Sequence, residues 1–197
     1  MTEPHLISVP ENVPRTSSGF GSWLGNRVLK LLGWRVRGEV PNCKKLVIIA
    51  APHTSNWDFI IAMSVKLALR LYANWMMKKE AFVWPLGGIW KNMGGIPIDR
   101  QSPKGISDQI VEWYQTHDQV WVGITPEGTR KKVEKWKTGF LRIAEAAQVP
   151  VLIVAWDYPS KSVVFDSLYE VTGDMDADLK EIQQRFSQYS GRNPENQ

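Results

Sequence analysis

The sequence is poor in the residues that build disulfide-bonded and metal-centred proteins. Its 197 residues include one cysteine, Cys43, and three histidines. A single cysteine excludes an internal disulfide framework and argues against a cysteine-based zinc site. This low cysteine content suits a reducing compartment. No second histidine stands at helical ligand spacing from His53, because His5 falls in an expected tail and His117 ends a predicted helix. The sequence therefore predicts no metal site.

Long hydrophobic runs are also missing. The longest strongly apolar stretch, 59–69, is interrupted by Lys66 and is much shorter than the about 20 residues that a bilayer-spanning helix needs. Residues 1–20 carry prolines and acidic residues where a signal peptide has a basic and then an apolar segment. We therefore expect neither a spanning helix nor a cleaved signal.

The composition is typical of one folded domain with a basic balance. Hydrophobic residues make up 43% and charged residues 22% of the chain, which excludes a disordered polar chain. The formal net charge of +4 favours anionic partners such as phosphate groups, acidic lipid or nucleic acid. We expect one domain over 35–190, with loose tails at 1–18 and 191–197.

Residues 19–34 have the pattern of an amphipathic helix. Its apolar side carries Phe20, Trp23, Leu24, Val28, Leu31 and Leu32, and its polar side carries Asn26, Arg27 and Lys30. Such a helix can lie in a lipid interface with tryptophan at the head groups, or it can pack on the domain core. Periodicity alone leaves both interpretations open.

From residue 34 onward, strand-like runs alternate with helical patterns. The predicted strands are 46–51, 74–78, 95–98, 120–124, 151–156 and a weaker 162–165. The predicted helices are 56–71, one opened by Pro103 and Lys104, 139–147 and about 176–189. This alternation predicts an α/β fold: a single layered domain with a mixed, largely parallel central sheet flanked by helices.

The first candidate site follows the strand 46–51, where His53 precedes Asp58 by five residues. On one continuous helix these side chains would point in different directions. If His53 lies in the extended entry and Asp58 in the first helical turn, the carboxylate can hold one ring nitrogen and leave the other as a general base. The alternative is that Ser55, Asn56 and Asp58 only cap the helix.

Two arginines follow later strands. Arg100 ends the strand 95–98, and its planar guanidinium suits a phosphate, although an ion pair with Asp99 is an equal alternative. Arg130 belongs to the loop after the strand 120–124. In that loop Glu127 can accept hydrogen bonds from substrate hydroxyls, Gly128 permits a tight turn and Thr129 supplies a hydroxyl, unless the loop is merely a hydrophilic turn.

At these residues the sequence resembles the lysophosphatidic acid (1-acylglycerol-3-phosphate) acyltransferases among the glycerolipid acyltransferases. Four blocks match in the family's order: 53–58 as H-x-x-x-x-D, 94–100 ending in I-D-R, 127–130 as E-G-T-R, and 149–151 as V-P-hydrophobic. The resemblance covers residues 36–158 and implies the glycerol-3-phosphate acyltransferase-like fold. It implies that His53 is the general base and Asp58 its partner. It further implies that Arg100 and Arg130 hold an acceptor phosphate while Glu127, Gly128 and Thr129 shape the acceptor site.

The implied reaction moves an acyl group from a thioester, acyl-CoA or acyl carrier protein, to a lysophospholipid hydroxyl. The foremost acceptor is 1-acylglycerol-3-phosphate, and another lysolipid is an alternative. No metal or bound cofactor is expected. The expected location is cytoplasmic, peripherally on the inner face of the membrane. A different class, a non-catalytic binder of acidic membranes or nucleic acid, is also open; however, no stacking module favours nucleic acid.

Overall fold

A computed structural model describes residues 7–197, in which seven strands form one sheet with the order β1-β7-β6-β2-β5-β3-β4. The strands are β1 (Arg35–Gly38), β2 (Lys45–Ala51), β3 (Ala73–Lys78), β4 (Gly95–Ile98), β5 (Val120–Ile124), β6 (Val151–Asp157) and β7 (Ser162–Tyr169). The helices are α1 (Gly19–Leu32), α2 (Asn56–Ala68), α3 (Leu86–Asn92), α4 (Ile106–Thr116), α5 (Gly139–Ala147) and α6 (Met175–Phe186). Neighbouring strands are parallel except β6 and β7. The predicted mixed, largely parallel sheet is confirmed.

The helices divide between the two faces of the sheet. The crossovers through α2 and α3 advance along the sheet in one direction, and those through α4 and α5 return in the other. Because such crossovers are right-handed, α2 and α3 lie on one face and α4 and α5 on the opposite face. Alternate residues of β6 supply the two cores: Leu152 and Val154 pack towards α1 and α2, while Val151 and Ile153 pack towards α4, α5 and α6.

The strand and helix predictions differ from the structure mainly at edges. The edge strand β1 was not predicted, because only Val36 among its four residues is buried and the alternation that marks a strand is absent. Strand β7 continues to Tyr169 instead of ending at residue 165. Its antiparallel pairing with β6 extends through the polar residues that follow Phe165. Helix α2 ends at Ala68, and Leu71 then pairs with Arg15 in an isolated bridge.

Residues 7–18 and 191–197 pack on the domain, unlike the loose tails expected at 1–18 and 191–197. Val13 is 1% exposed, and the Thr16 amide donates to the Arg70 carbonyl at 2.8 Å. The far end includes a short 3₁₀ turn, Pro194–Asn196, and contacts the start of α2. Both ends satisfy backbone groups that the end of α2 and its entry leave without helical partners. The first six residues of the predicted N-terminal tail lie outside the described residues.

Helix α1 packs on the domain along one side and leaves large apolar side chains exposed on the other. It packs on α2 through small residues, since a Cβ at Gly25 would come within 2.5 Å of the Ala68 backbone nitrogen. Its large apolar residues Phe20, Trp23 and Leu31 stay exposed. Among the described residues, no helix has the length and apolar character needed to cross a membrane.

Candidate active site

A cavity of about 1130 Å³ opens beside the carboxyl ends of the parallel strands, where ligands bind in open α/β sheets. Small-molecule pockets usually have volumes of 300–1,000 Å³, and this cavity is larger than the upper limit by about a tenth. Its polar part includes His53, Arg100 and Arg130. Its apolar part includes Phe59, Met63, Leu71, Met76, Phe140 and Phe165. The cavity thus joins a charged region to an extended hydrophobic one.

His53 and Asp58 meet at the entry to α2. Ser55 is the N-cap and Asp58 the third helical residue, so the carboxylate folds back over the entering backbone. Asp58 Oδ2 lies 3.0 Å from His53 Nδ1 and accepts from the amides of Thr54 and Ser55 at 2.9 Å each. The sequence left open whether Asp58 caps the helix or contacts His53. In the structure its carboxylate does both.

The geometry fixes how the imidazole is presented. Asp58 is fully buried, whereas the His53 side chain is 16% exposed and lines the cavity. The Asp58 carboxylate accepts a hydrogen bond from the Nδ1–H of His53. The neutral imidazole therefore carries its lone pair on Nε2. The ring also lies 5.7 Å from the Trp156 ring, which limits its movement. This arrangement can accept a proton from a hydroxyl bound in the cavity.

Glu127 lies behind His53 and does not line the cavity with Gly128 and Arg130. Its Oε1 accepts the His53 amide at 2.9 Å, which ties the loop after β5 to the loop after β2. Burial raises the pKa of the Glu127 carboxyl, and the His53 amide opposes that rise. This contact of Glu127 Oε1 with the His53 backbone was not foreseen from the sequence. No local pattern could reveal it, since 74 residues separate the two groups.

Arg100, Gly128 and Arg130 all line the cavity, and both arginine side chains are exposed. Asp99 pairs with Lys79 at 2.5 Å, and this hydrogen bond lowers the pKa of the Asp99 carboxyl. Within the described residues neither arginine has an ion pair, so both guanidinium groups remain available to an anion.

The loop after β5 contains a turn that requires glycine at position 128. The same loop leaves Thr129, a predicted site residue, outside the cavity. Gly128 has a φ of 65°, and a Cβ there would come within 2.7 Å of Lys137 Nζ. The Thr129 hydroxyl faces the Lys131 amide at 3.4 Å, and Thr129 does not line the cavity. The structure thus brings Gly128 and Arg130 to the site but not Thr129.

Two further basic side chains line the cavity, and Arg142 among them was not singled out in the sequence. Arg142 lies in the first turn of α5, and Lys137 precedes that helix. Their signal is positional, because the start of α5 lies at the same sheet edge as the loop carrying Arg130. Together they make the polar end of the cavity strongly basic. The described residues contain no group of three or more histidine, cysteine, aspartate or glutamate side chains that could hold a metal ion.

Comparisons with known proteins bear on the family and the fold. The sequence model of the family described as Acyltransferase matches residues 24–156. Among solved structures, the chain is similar to the 1-acyl-sn-glycerophosphate (LPA) acyltransferase PlsC from Thermotoga maritima. The TM-score is 0.58 at 17% identity, with 87% of this chain and 80% of that chain covered. At this identity the likeness establishes a shared fold. The curated proteins contain no significant match to the sequence.

Proposed function

The chain belongs to the acyltransferase family, and on that premise we propose that it acylates a lysophospholipid. The donor is an acyl thioester, either acyl-CoA or acyl carrier protein. The foremost acceptor is 1-acylglycerol-3-phosphate, and the product is then phosphatidic acid. The observation that carries the proposal is that one cavity joins His53, two arginines that form no ion pair with any of residues 7–197, and a long apolar wall. This combination matches a base, an anionic head group and an acyl chain.

In the proposed reaction, His53 is the general base and Asp58 supports it. The acceptor oxygen attacks the thioester carbonyl as its proton passes to Nε2, and Asp58 stabilises the imidazolium that forms. The tetrahedral intermediate then collapses, the carbon–sulfur bond breaks, and the proton leaves with the thiolate. The products are an ester and a free thiol, so the step needs neither an oxidant nor a covalent acyl-enzyme.

Arg100 and Arg130 are proposed to hold the acceptor phosphate. Guanidinium groups grip phosphate oxygens through paired, charge-assisted hydrogen bonds. Holding the phosphate fixes the nearby hydroxyl relative to His53, and orientation of this kind lowers the barrier to attack. Gly128 lets the backbone approach the same region, while the apolar wall accommodates an acyl chain.

An acceptor panel tests the proposed substrate class. Purified protein is given one acyl-CoA and either 1-acylglycerol-3-phosphate, an uncharged 1-acylglycerol or an amino-acid-based lysolipid, and thiol release is measured. We expect the phosphate-bearing acceptor to give a kcat/KM at least about tenfold above the uncharged one, because charge-assisted hydrogen bonds contribute 1.5–3 kcal/mol each. Faster release with the amino-acid-based lysolipid would select the alternative acceptor. No release with any acceptor, from acyl-CoA or acyl carrier protein, would contradict the proposed function.

We also propose that the protein binds the inner face of the membrane through α1, α2 and the segment 83–92. All but two of the exposed large apolar side chains in the described part of the chain lie on these three elements; the two others are Ile106 and Leu168. The helices α1, α2 and α3 carry one carboxylate, the buried Asp58, whereas α4 and α6 expose Asp108, Glu112, Asp176 and Glu181. An apolar face without exposed acidic groups suits anionic lipid.

Trp23→Glu tests this surface. Trp23 is half-exposed, and Arg27 lies over its ring at 5.5 Å. Replacing an interfacial aromatic by a carboxylate should weaken sedimentation with anionic liposomes at least about tenfold, because burial of a large apolar side chain contributes 1.5–3 kcal/mol. Leu168→Glu, an equally drastic change at an exposed position on β7, is the control and should sediment like the original protein. Unchanged sedimentation of Trp23→Glu would remove α1 from the membrane surface.

A further inference from the structure

Both oxygens of the Asp58 carboxylate are occupied, and the second one has a partner far away in the sequence. Oδ2 receives His53 and two amides, whereas Oδ1 accepts from the Tyr158 hydroxyl at 2.5 Å. Because Asp58 is fully buried, water does not replace this donor. Tyr158 follows β6 and lies beyond the stretch 24–156 that the family model matches.

Tyr158 is held so that its hydroxyl faces Asp58. Its ring meets the Trp34 ring edge-on at 4.8 Å between centroids. Its amide donates to the Ser190 carbonyl at 3.0 Å. Burial raises the pKa of the Tyr158 phenol, and the hydrogen bond to Asp58 raises it further. The phenol therefore stays protonated near neutral pH and acts as a donor.

The C-terminal segment 190–193 holds the same stretch of chain from the other side. Asn193 donates from its amide to the Thr54 hydroxyl at 3.2 Å and from its side chain to the Thr54 carbonyl at 2.9 Å. Gly191 packs so closely that a Cβ would come within 2.7 Å of Thr54 Oγ1. The Arg192 guanidinium lies 5.4 Å from the Trp57 ring centroid. Residues 54–58 are thus held by two segments from outside the matched family region.

From these contacts we propose that Tyr158, supported by residues 190–193, is a positioning residue that sets the orientation and basicity of the His53–Asp58 pair. The inference rests on the proposed function of His53. A carboxylate that shares its charge with a phenol and two amides stabilises an imidazolium less than one without the phenol. Tyr158 therefore weakens the support that Asp58 alone would give to a protonated His53. The other charged groups facing the pair are Glu127, bound to the His53 amide, and Arg192, near the Tyr158 phenol.

The test is Tyr158→Phe, read by NMR titration of His53 in the protein without substrate. His53→Gln identifies the His53 signal among those of the three histidines. We expect His53 of Tyr158→Phe to titrate at higher pH than His53 of the original protein, because Asp58 loses one hydrogen-bond donor. The acidic limb of the pH profile of kcat/KM should shift to higher pH in the same variant. We expect kcat to fall by about tenfold and the KM of the acceptor to stay within about twofold.

Tyr169→Phe is the matched control, because Tyr169 also donates to a buried carboxylate, Asp178, at 2.8 Å. It should lose comparable stability and leave the pKa of His53 unchanged. If Tyr158→Phe does not fold, Asn193→Ala carries the test, since loosening Thr54 weakens an amide donor to Asp58 and should raise the same pKa less. An unchanged pKa of His53 in the folded variant overturns the proposal. A raised pKa supports it even if no lysolipid is acylated, which separates this proposal from the proposed function.

Discussion

His53→Ala is expected to lower kcat for acyl transfer by about 10²–10⁴, the range that a positioned general base contributes. An alcohol is a weak nucleophile near neutral pH, and His53 is the side chain in the cavity whose ring nitrogen can take its proton at that pH. The KM of the acceptor should change little, because the phosphate contacts remain. Thiol release at saturating acyl-CoA and 1-acylglycerol-3-phosphate measures the effect.

His117→Ala controls for the loss of an imidazole elsewhere. His117 lies exposed at the end of α4, with its ring stacked on Trp113 at 4.1 Å. This variant should retain full activity. Circular dichroism and thermal unfolding must show that His53→Ala keeps its fold, since the His53 side chain contacts the buried Asp58. A folded His53→Ala protein with unchanged kcat would exclude His53 as the base.

Arg130→Gln is expected to raise the KM of a phosphate-bearing acceptor by about 10–100-fold, because it removes a guanidinium that contributes 1.5–3 kcal/mol through charge-assisted hydrogen bonds. Turnover of an uncharged acceptor should be unaffected, since it offers no phosphate. The preference measured in the acceptor panel should therefore shrink by the same factor. Initial rates across a range of concentrations of both acceptors measure this change.

Arg185→Gln is the matched control for Arg130→Gln. Arg185 lies on α6, where it pairs with Glu181 at 2.6 Å, and it does not line the cavity. The Arg185→Gln variant loses the same charge away from the site, so its preference for the phosphate-bearing acceptor should persist. If Arg130→Gln lowers turnover of both acceptors equally, Arg130 supports the loop after β5 and does not recognise phosphate.

The parallel core of the sheet was the most predictable part of the fold. The strands at 95–98 and 120–124 and the helix at 139–147 have the predicted bounds. Each is a local pattern of apolar residues ended by a turn or a glycine, which needs no knowledge of distant contacts. Strand β1 lacks such a pattern, because only Val36 among its four residues is buried.

Within the candidate site, the sequence pointed to His53, Arg100 and Arg130, which line the cavity, but not to the contacts that hold them. His53 and Asp58 are five residues apart, so local geometry offered their contact as one of two alternatives. Tyr158 lies 100 residues from Asp58, and Asn193 lies 139 residues from Thr54. Such contacts leave no periodicity or motif in the sequence. The same reason explains why the hydrogen bond between Glu127 and the His53 amide was not predicted.

The most direct test of the account is the identity of the product made by the purified chain. The protein is incubated with an acyl-CoA labelled in its acyl chain and with 1-acylglycerol-3-phosphate, and the lipids are analysed by mass spectrometry. The account predicts labelled phosphatidic acid in amounts equal to the thiol released, and nearly none with His53→Ala. Free labelled fatty acid without phosphatidic acid, or equal product from His53→Ala, would contradict it.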